Sequence, residues 1–285
     1  MNMVKKLQPL AIYLGVALVL IFTLAPIVWL IISSISPLND LLSVPPRWIP
    51  SQPSFRNYLD IFTASMKTGG VNYQFKRGII NSLVVASGVT LVCLFVGSLA
   101  AYAFARLRVP FKNKFVFVLL FTQMLPGIAI CIPLFMIANA WQMIDKRITL
   151  IILYCSFSLP FVVWVMKGYF QTIPEDLEDA ARIDGCSRLG ALFRIILPLS
   201  APGLFATGVF AFLGAWNEFL MALIFTNSLA AKTMPVAIAE FIGRFSIDYG
   251  LMCTVGVIAC IPPILLALLF QRYIVEGLVG GAVKG

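Results

Sequence analysis

Residues Glu175–Pro198 read EDLEDAARIDGCSRLGALFRIILP and hold five carboxylates and three arginines. The chain around them is 60% hydrophobic and only 12% charged, about half the ~25% charge of an ordinary soluble domain. Charge gathered in one internal stretch of so apolar a chain marks where the polypeptide leaves an apolar phase. The local signals spell a helical hairpin. Pro174 suits a first helical turn, where its missing N–H would be unpaired anyway. Glu175, Asp176, Glu178 and Asp179 then sit near the positive end of the helix dipole. Leu177, Ala180, Ala181 and Asp184 recur at i, i+3, i+4 and i+7, a face of mostly small or apolar residues. Gly185 can take positive φ and end the helix, Ser187 can cap a second helix through Phe193, and Pro198 precedes the next apolar run. A surface of alanines ringed by charge suits a docking partner. A solvated interfacial loop is the other reading of the same charges.

Outward from this segment, six apolar stretches are expected to cross a bilayer as helices: 10–33, 78–104, 115–139, 149–168, 199–225 and 249–271. Each is long enough for ~30 Å of hydrocarbon. A chain without barrel-like alternation satisfies its backbone in lipid only as helix. The fold class is therefore all-α, a polytopic membrane protein forming a single transmembrane domain over 1–285. The basic, then long apolar, N-terminus without an A-x-A-like site reads as an uncleaved first span rather than a signal peptide. With both termini cytoplasmic, twelve Lys and Arg fall inside and nine outside, so the positive-inside rule favours that orientation by a thin margin. The proline-rich loop 37–74 forbids a long helix, with a short surface helix expected over 57–65. Gly88, Gly97, Ser98, Ala100, Ala101 and Ala103 suit close helix approach in lipid. Prolines 126, 133, 160, 202, 262 and 263 imply kinks or span ends.

Composition also excludes chemistry. The chain has no histidine, which removes histidine-based triads and zinc hydrolases. Its six cysteines show no C-x-x-C spacing and read as small buried hydrophobes, so no metal site is expected. The net charge of +9 fits basic membrane flanks. Nucleic-acid binding would need a basic face on a soluble domain, and no stretch remains to form one. No Gly-Lys-Ser/Thr triplet occurs, so there is no Walker A loop, and no catalytic residue is assigned.

The charged segment resembles the EAA loop of ATP-binding-cassette importer permeases, E-A-A-x3-G-x9-I-x-L-P. Asp179, Ala180 and Ala181 precede three residues and Gly185, and nine more lead to Ile195, Ile196, Leu197 and Pro198. Asp179 stands where the motif has glutamate, keeping the charge one methylene shorter. The stretches INSLVVASGVTLVCLFVGSLAAYAFARL, LPFVVWVMKGYFQTIPEDLEDAARIDG, AWNEFLMAL and the tail QRYIVEGLVGGAVKG are similar to the carbohydrate branch, the maltose-type second permease subunit. That resemblance implies an importer-type permease core in the cytoplasmic (inner) membrane of a bacterial-type cell. It implies alternating access driven by two separate ATP-binding subunits that carry ATP and magnesium, a paralogous permease, an extracytoplasmic solute-binding protein and a carbohydrate substrate. This chain would itself hold no cofactor. Within the loop 174–198, the implied ATPase-coupling residues are Glu178, Asp179, Ala180, Ala181, Asp184, Gly185, Arg188 and Pro198. In the tail 272–285 they are Glu276, Gly277 and Lys284.

Substrate contacts are sought among polar residues within spans. Trp216, Asn217 and Glu218 lie in the fifth, where a carboxylate is costly and turns to a cavity or a partner. Asn and Glu suit sugar hydroxyls, and Trp suits a pyranose face. An interhelical bond is the competing role for Glu218, as polar packing is for Asn81. Gln123 and Asn139 are further candidates. Three other readings stand beside the sugar importer. An importer permease could serve polyols, glycerol phosphates or peptides. A secondary transporter could use Glu218 as a proton relay. A membrane scaffold could bind a regulator.

Overall fold

The computed structural model describes residues 2–65, 70–244 and 248–282, with side chains over 12–65, 70–241 and 248–273. Among the described residues every regular element is helical. They are α1 (Asn2–Ile35), α2 (Leu38–Leu41), α3 (Arg56–Thr63), α4 (Gly70–Arg106), α5 (Lys112–Thr122), α6 (Gly127–Ala140), α7 (Arg147–Thr172) and α8 (Glu175–Ile183). There follow α9 (Arg188–Ala191), a widened π turn (Leu192–Ile196), α10 (Leu197–Leu199), α11 (Ala201–Asn217), α12 (Leu220–Phe225), α13 (Met234–Arg244) and α14 (Tyr249–Ala282). Among the described residues four helices are long and apolar enough to cross a membrane: Ile12–Ile35, Gly70–Arg106, Arg147–Thr172 and Tyr249–Tyr273. Counting each of two bent helix pairs as one span gives six.

Two expected spans are interrupted. The stretch 115–139 divides into α5 and α6, bent by 93°. Pro126 is the cause: it removes a backbone donor and holds an extended φ/ψ of −64° and 123° at the start of α6. The stretch 199–225 divides at Glu218, whose backbone is extended (φ −69°, ψ 128°). Upstream, α9 to α10 meets α11 at 83°. The short surface helix expected over 57–65 is present as α3.

The chain forms two compact units, Met1–Lys76 with Ile238–Ile261 and Arg77–Ala237 with Pro262–Gly285. In the first, α1 presents an apolar surface that is almost wholly exposed from Ile12 to Phe22, as a lipid-facing helix does. Its far end is tied in by Ser34, whose hydroxyl meets Tyr58 at 2.7 Å and whose carbonyl accepts from Thr254 at 3.0 Å. Buried Asp40 organises the loop after α2, accepting from the Ser51 N–H and hydroxyl at 2.7 Å each. Those two bonds, with Arg47 nearby, hold its carboxyl below the usual range.

The second unit is built on α4, α7 and α11. Its core includes Val85, Val89, Leu150, Val162, Met166, Phe170, Leu192, Ile196, Phe212 and Phe225. Lipid supplies no hydrophobic drive between helices, so close backbone approach does the work. A Cβ added at Gly88 would come within 2.8 Å of Ile151, and one at Gly97 within 2.7 Å of Val162. At Gly203 it would overlap the Tyr169 ring. These glycines seat α7 between α4 and α11.

Candidate functional site: a capped hairpin and an aromatic cleft

The hairpin forms as its residues dictate. Helix α8 ends in a Schellman arrangement: the Cys186 N–H donates to the Ala181 carbonyl at 2.9 Å and the Gly185 N–H to Arg182 at 3.1 Å. Gly185 takes φ +89°, the left-handed region open to glycine without steric cost. Ser187 then caps α9, accepting from the Gly190 N–H at 3.1 Å. The second helix runs past Phe193 to Leu199 by way of the π turn.

The surface of α8 differs from the expected single alanine face. Ala181 and Glu178 turn inward and are buried, while Leu177, Asp179, Ala180 and Asp184 are exposed. The outward tip is apolar in places: Ile183 is 86% exposed and Leu189 58%. Arg188 and Pro198 are exposed as well. Glu178 and Ala181 are therefore set apart from the other proposed coupling residues, and Glu178 is held by polar partners. Its Oε1 accepts from the Tyr102 hydroxyl, and its Oε2 lies 3.6 Å from Arg106 Nε. Arg106, the last residue of α4, also donates to the Ile173 carbonyl at 2.5 Å and pairs with Glu175 at 3.4 Å. A cation at the end of α4 faces two carboxylates in the first turn of α8, which suits both helix dipoles. In the tail, Glu276 and Gly277 lie on α14, with the Glu276 side chain outside the described residues. Lys284 is outside the described residues altogether.

The polar span residues separate into three groups. Asn81 is fully buried and donates to the Leu229 and Lys232 carbonyls at 3.1 and 2.8 Å. Its neighbour Ser82 accepts from the Met234 N–H at 2.8 Å. This is packing that holds the segment 229–234. Asn139 is exposed near the end of α6 and is not among the residues lining the two hollows at Glu218 and Gln123. Trp216 is buried and stacks on Phe212, with ring centres 5.8 Å apart, and Asn217 is exposed.

Glu218 and Gln123 do reach cavities. Where the helix breaks, the Glu218 carboxylate caps α12: Oε1 accepts from Met221 N–H at 2.8 Å and Oε2 from Ala222 N–H at 3.1 Å. It lines a hollow of about 250 Å³ with Tyr154, Phe157 and Ser158. An adjoining hollow of about 440 Å³ shares Phe157 and Ser158 and adds Gln123, Phe161, Trp164 and Phe210. That volume falls within the ~300–1,000 Å³ of small-molecule sites. Gln123 donates to the Phe157 carbonyl at 2.6 Å, which fixes it at the lip of the broken span. Sequence reasoning missed Tyr154, Ser158, Phe161 and Trp164. The signal for the last three was available, since 158, 161 and 164 recur along one face of α7 at i, i+3 and i+6.

At the opposite end of α7, Asp145 takes φ +63° and closes a turn. Its carboxylate accepts from the Asn227 and Ser228 N–H groups at 3.0 and 2.9 Å and from the Ser228 hydroxyl at 2.5 Å. Burial pushes this carboxyl up, but the bonds from Ser228 and Asn227 outweigh burial and hold it below its usual value. Among the described residues no cluster of three or more Cys, Asp or Glu could hold a metal ion.

The family described as binding-protein-dependent transport system inner membrane component matches residues 93–279. The trehalose transport system permease protein SugB of Mycobacterium tuberculosis is 37% identical over 94% of this chain and 95% of its own. The trehalose/maltose transport system permease protein MalG of Thermococcus litoralis is 36% identical over 99% of each. The sulfoquinovosyl glycerol transport system permease protein SmoH of Agrobacterium fabrum is 33% identical over 96% and 93%. Among solved structures, a chain of a bacterial ABC transporter involved in importing the acidic polysaccharide alginate superposes with a TM-score of 0.81 at 19% identity, covering 96% and 98%.

Proposed function

The chain belongs to the binding-protein-dependent transport system inner membrane component family, and from that premise we propose that it passes a sugar or short oligosaccharide across the membrane under the control of separate ATPase subunits. The chain is a multi-pass permease of the inner membrane, not a catalytic subunit. The observation that carries the coupling is the hairpin 175–199. It is capped at both turns and ends in exposed Ile183 and Leu189, apolar groups that a partner would cover. Asp179, Ala180, Asp184 and Arg188 are its outward polar and small residues, and Gly185 and Pro198 shape it. Glu276, Gly277 and Lys284 would meet the same partner from the tail. ATP and magnesium would sit on that partner, which can bias this chain only through unequal affinity for its inward- and outward-open states. A paralogous permease and an extracytoplasmic binding protein complete the assembly, with both termini of this chain cytoplasmic.

Two features support a carbohydrate cargo. The relatives are named for trehalose, trehalose/maltose and sulfoquinovosyl glycerol. The cleft pairs aromatic faces of Phe161, Trp164 and Phe210 with the polar groups of Gln123, Ser158 and Glu218, the mixture that an amphipathic sugar ring uses. A proton relay through Glu218 is disfavoured, because both carboxylate oxygens already cap α12. The test is uptake into proteoliposomes holding this chain with its cognate permease, ATPase and binding protein, screened with trehalose, maltose, glycerol phosphate and peptides. ATP-dependent uptake of a sugar is expected. Uptake driven by a proton gradient without ATP would overturn the reading. Trp164→Ala should raise the half-saturating concentration about tenfold, the worth of one aromatic contact of roughly 1–1.5 kcal/mol. An unchanged value would remove the cleft from the pathway.

A further inference from the structure

We propose that Tyr102, Arg106 and Glu178 form a latch joining the hairpin to α4, so that the two move as one lever and a push on the hairpin is delivered along α4. This rests on the reading of the hairpin as the ATPase dock, and it assigns positioning roles to residues that touch neither ATPase nor cargo. The Glu178 side chain is 11% exposed and that of Arg106 6%, whereas Glu175 and Asp179 are 77% and 66% exposed. A carboxylate meant for a partner's surface would resemble the latter two. Glu178 is instead spent inside the chain, on the Tyr102 hydroxyl and the Arg106 guanidinium.

Four contacts of different direction meet at this point. Tyr102 holds α8 one turn above the end of α4. The Arg106 guanidinium spans Glu175 and Glu178 and reaches the Ile173 carbonyl, at the joint between α7 and α8. An apolar contact here could slide. The buried Tyr102–Glu178 hydrogen bond is directional, and the desolvated Arg106–Glu178 ion pair at 3.6 Å adds to it in fixing one register, the use for which buried ion pairs are best suited. The lever has somewhere to act, because α4 packs at Gly88 and Gly97 directly on Ile151 and Val162 of α7. That helix carries Phe157, Ser158, Phe161 and Trp164 of the cleft.

The test uses Tyr102→Phe, which removes only a hydroxyl, beside Glu178→Gln. In the purified full chain, amide exchange over 175–186 should quicken about tenfold in each, the factor that one such hydrogen bond contributes. The double variant should cost less than the sum of the singles, since Tyr102→Phe removes the donor of the Tyr102–Glu178 bond and Glu178→Gln takes the charge from its acceptor along with the Arg106 ion pair. The second arm is the assembled transporter with its ATPase subunits, carrying Ser158→Cys in the cleft and serine at 186, 253 and 260. ATP should change the labelling rate of position 158 by a thiol reagent. Either latch variant should shrink that change about fivefold or more while the ATPase subunits still bind. If ATP alters labelling equally with and without the latch residues, the latch is overturned and the docking reading stands. If ATP alters nothing even in the unmodified latch, the docking reading fails and takes this inference with it. Unchanged exchange in both variants also overturns the latch.

Discussion

Gly185 and Glu218 each sit where a helix stops, and each is read best from what its backbone requires. At Gly185 a Cβ would meet nothing within 4 Å, yet φ is +89°. Any cost of substitution is therefore conformational rather than steric. Gly185→Ala should destabilise the hairpin by roughly 1–2 kcal/mol, and Gly185→Asn by less, because asparagine tolerates left-handed backbone. Amide exchange of 183–187 measures this directly. Uptake should fall in the same order while membrane insertion is unchanged; equal behaviour of the two variants would contradict a backbone cause. At Glu218 both oxygens are engaged, so Glu218→Gln keeps one acceptor and Glu218→Ala keeps none. The alanine variant should lose about 1 kcal/mol or more of stability on thermal unfolding, the usual worth of a helix cap, and the glutamine variant a fraction of that. Gly185 and Ser187 were legible in the sequence because caps are local. The inward turn of Glu178 was not, because its partner Tyr102 lies 76 residues earlier and no local pattern carries that contact. Asn81 was ambiguous for the same reason, its acceptors being 148 and 151 residues away.

At the scale of elements, hydropathy located the four unbroken spans, because length and apolarity are what a bilayer selects. It could not see the interruption at 218–219, whereas Pro126 marks the one at 123–126 in the sequence itself. Both breaks border the cleft: the Gln123 side chain beside the first donates to the Phe157 carbonyl of α7, and the Met221 and Ala222 amides at the start of α12 take Glu218 at the second. Irregular backbone within a membrane is tolerated where it lines a cavity, so these breaks belong with the site. The turn at the other end of α7 gives a pH-dependent prediction. Asp145 is held below the usual carboxylate value of about 3.9, since bonds from Ser228 and Asn227 outweigh its burial. A lowered folded value adds stability above the unfolded value, lost as pH falls through the folded one. The segment 226–229 should thus stay equally protected from pH 8 down to about 5 and loosen only below about 4. In Asp145→Asn the amide keeps one acceptor but no charge. Protection should then be weaker at neutral pH, and the acid step should vanish. Intrinsic-rate-corrected amide exchange across that range decides it.

For the whole molecule, the question is which way the chain lies in the membrane. Helix α7 has 26 residues, about 39 Å at 1.5 Å per residue, longer than the ~30 Å hydrocarbon layer. Its two ends must therefore emerge on opposite sides. The α8 hairpin follows one end after Ile173, and the Asp145 turn precedes the other. Basic residues alone separate the sides poorly, at twelve against nine. The docking role proposed for the hairpin adds a separate argument, because an ATPase would reach it only from the cytoplasm. Cys186, partly exposed on the hairpin, should react with a membrane-impermeant maleimide in inside-out vesicles and stay unlabelled in right-side-out ones. Asn227→Cys, beside the Asp145 turn, should give the reverse pattern once the native cysteines at 186, 253 and 260 are serine. Labelling of both positions from one side would contradict α7 as a spanning helix. Both patterns inverted would leave the helices in place but put the hairpin out of reach of ATP, and no importer of this design could then be driven through it.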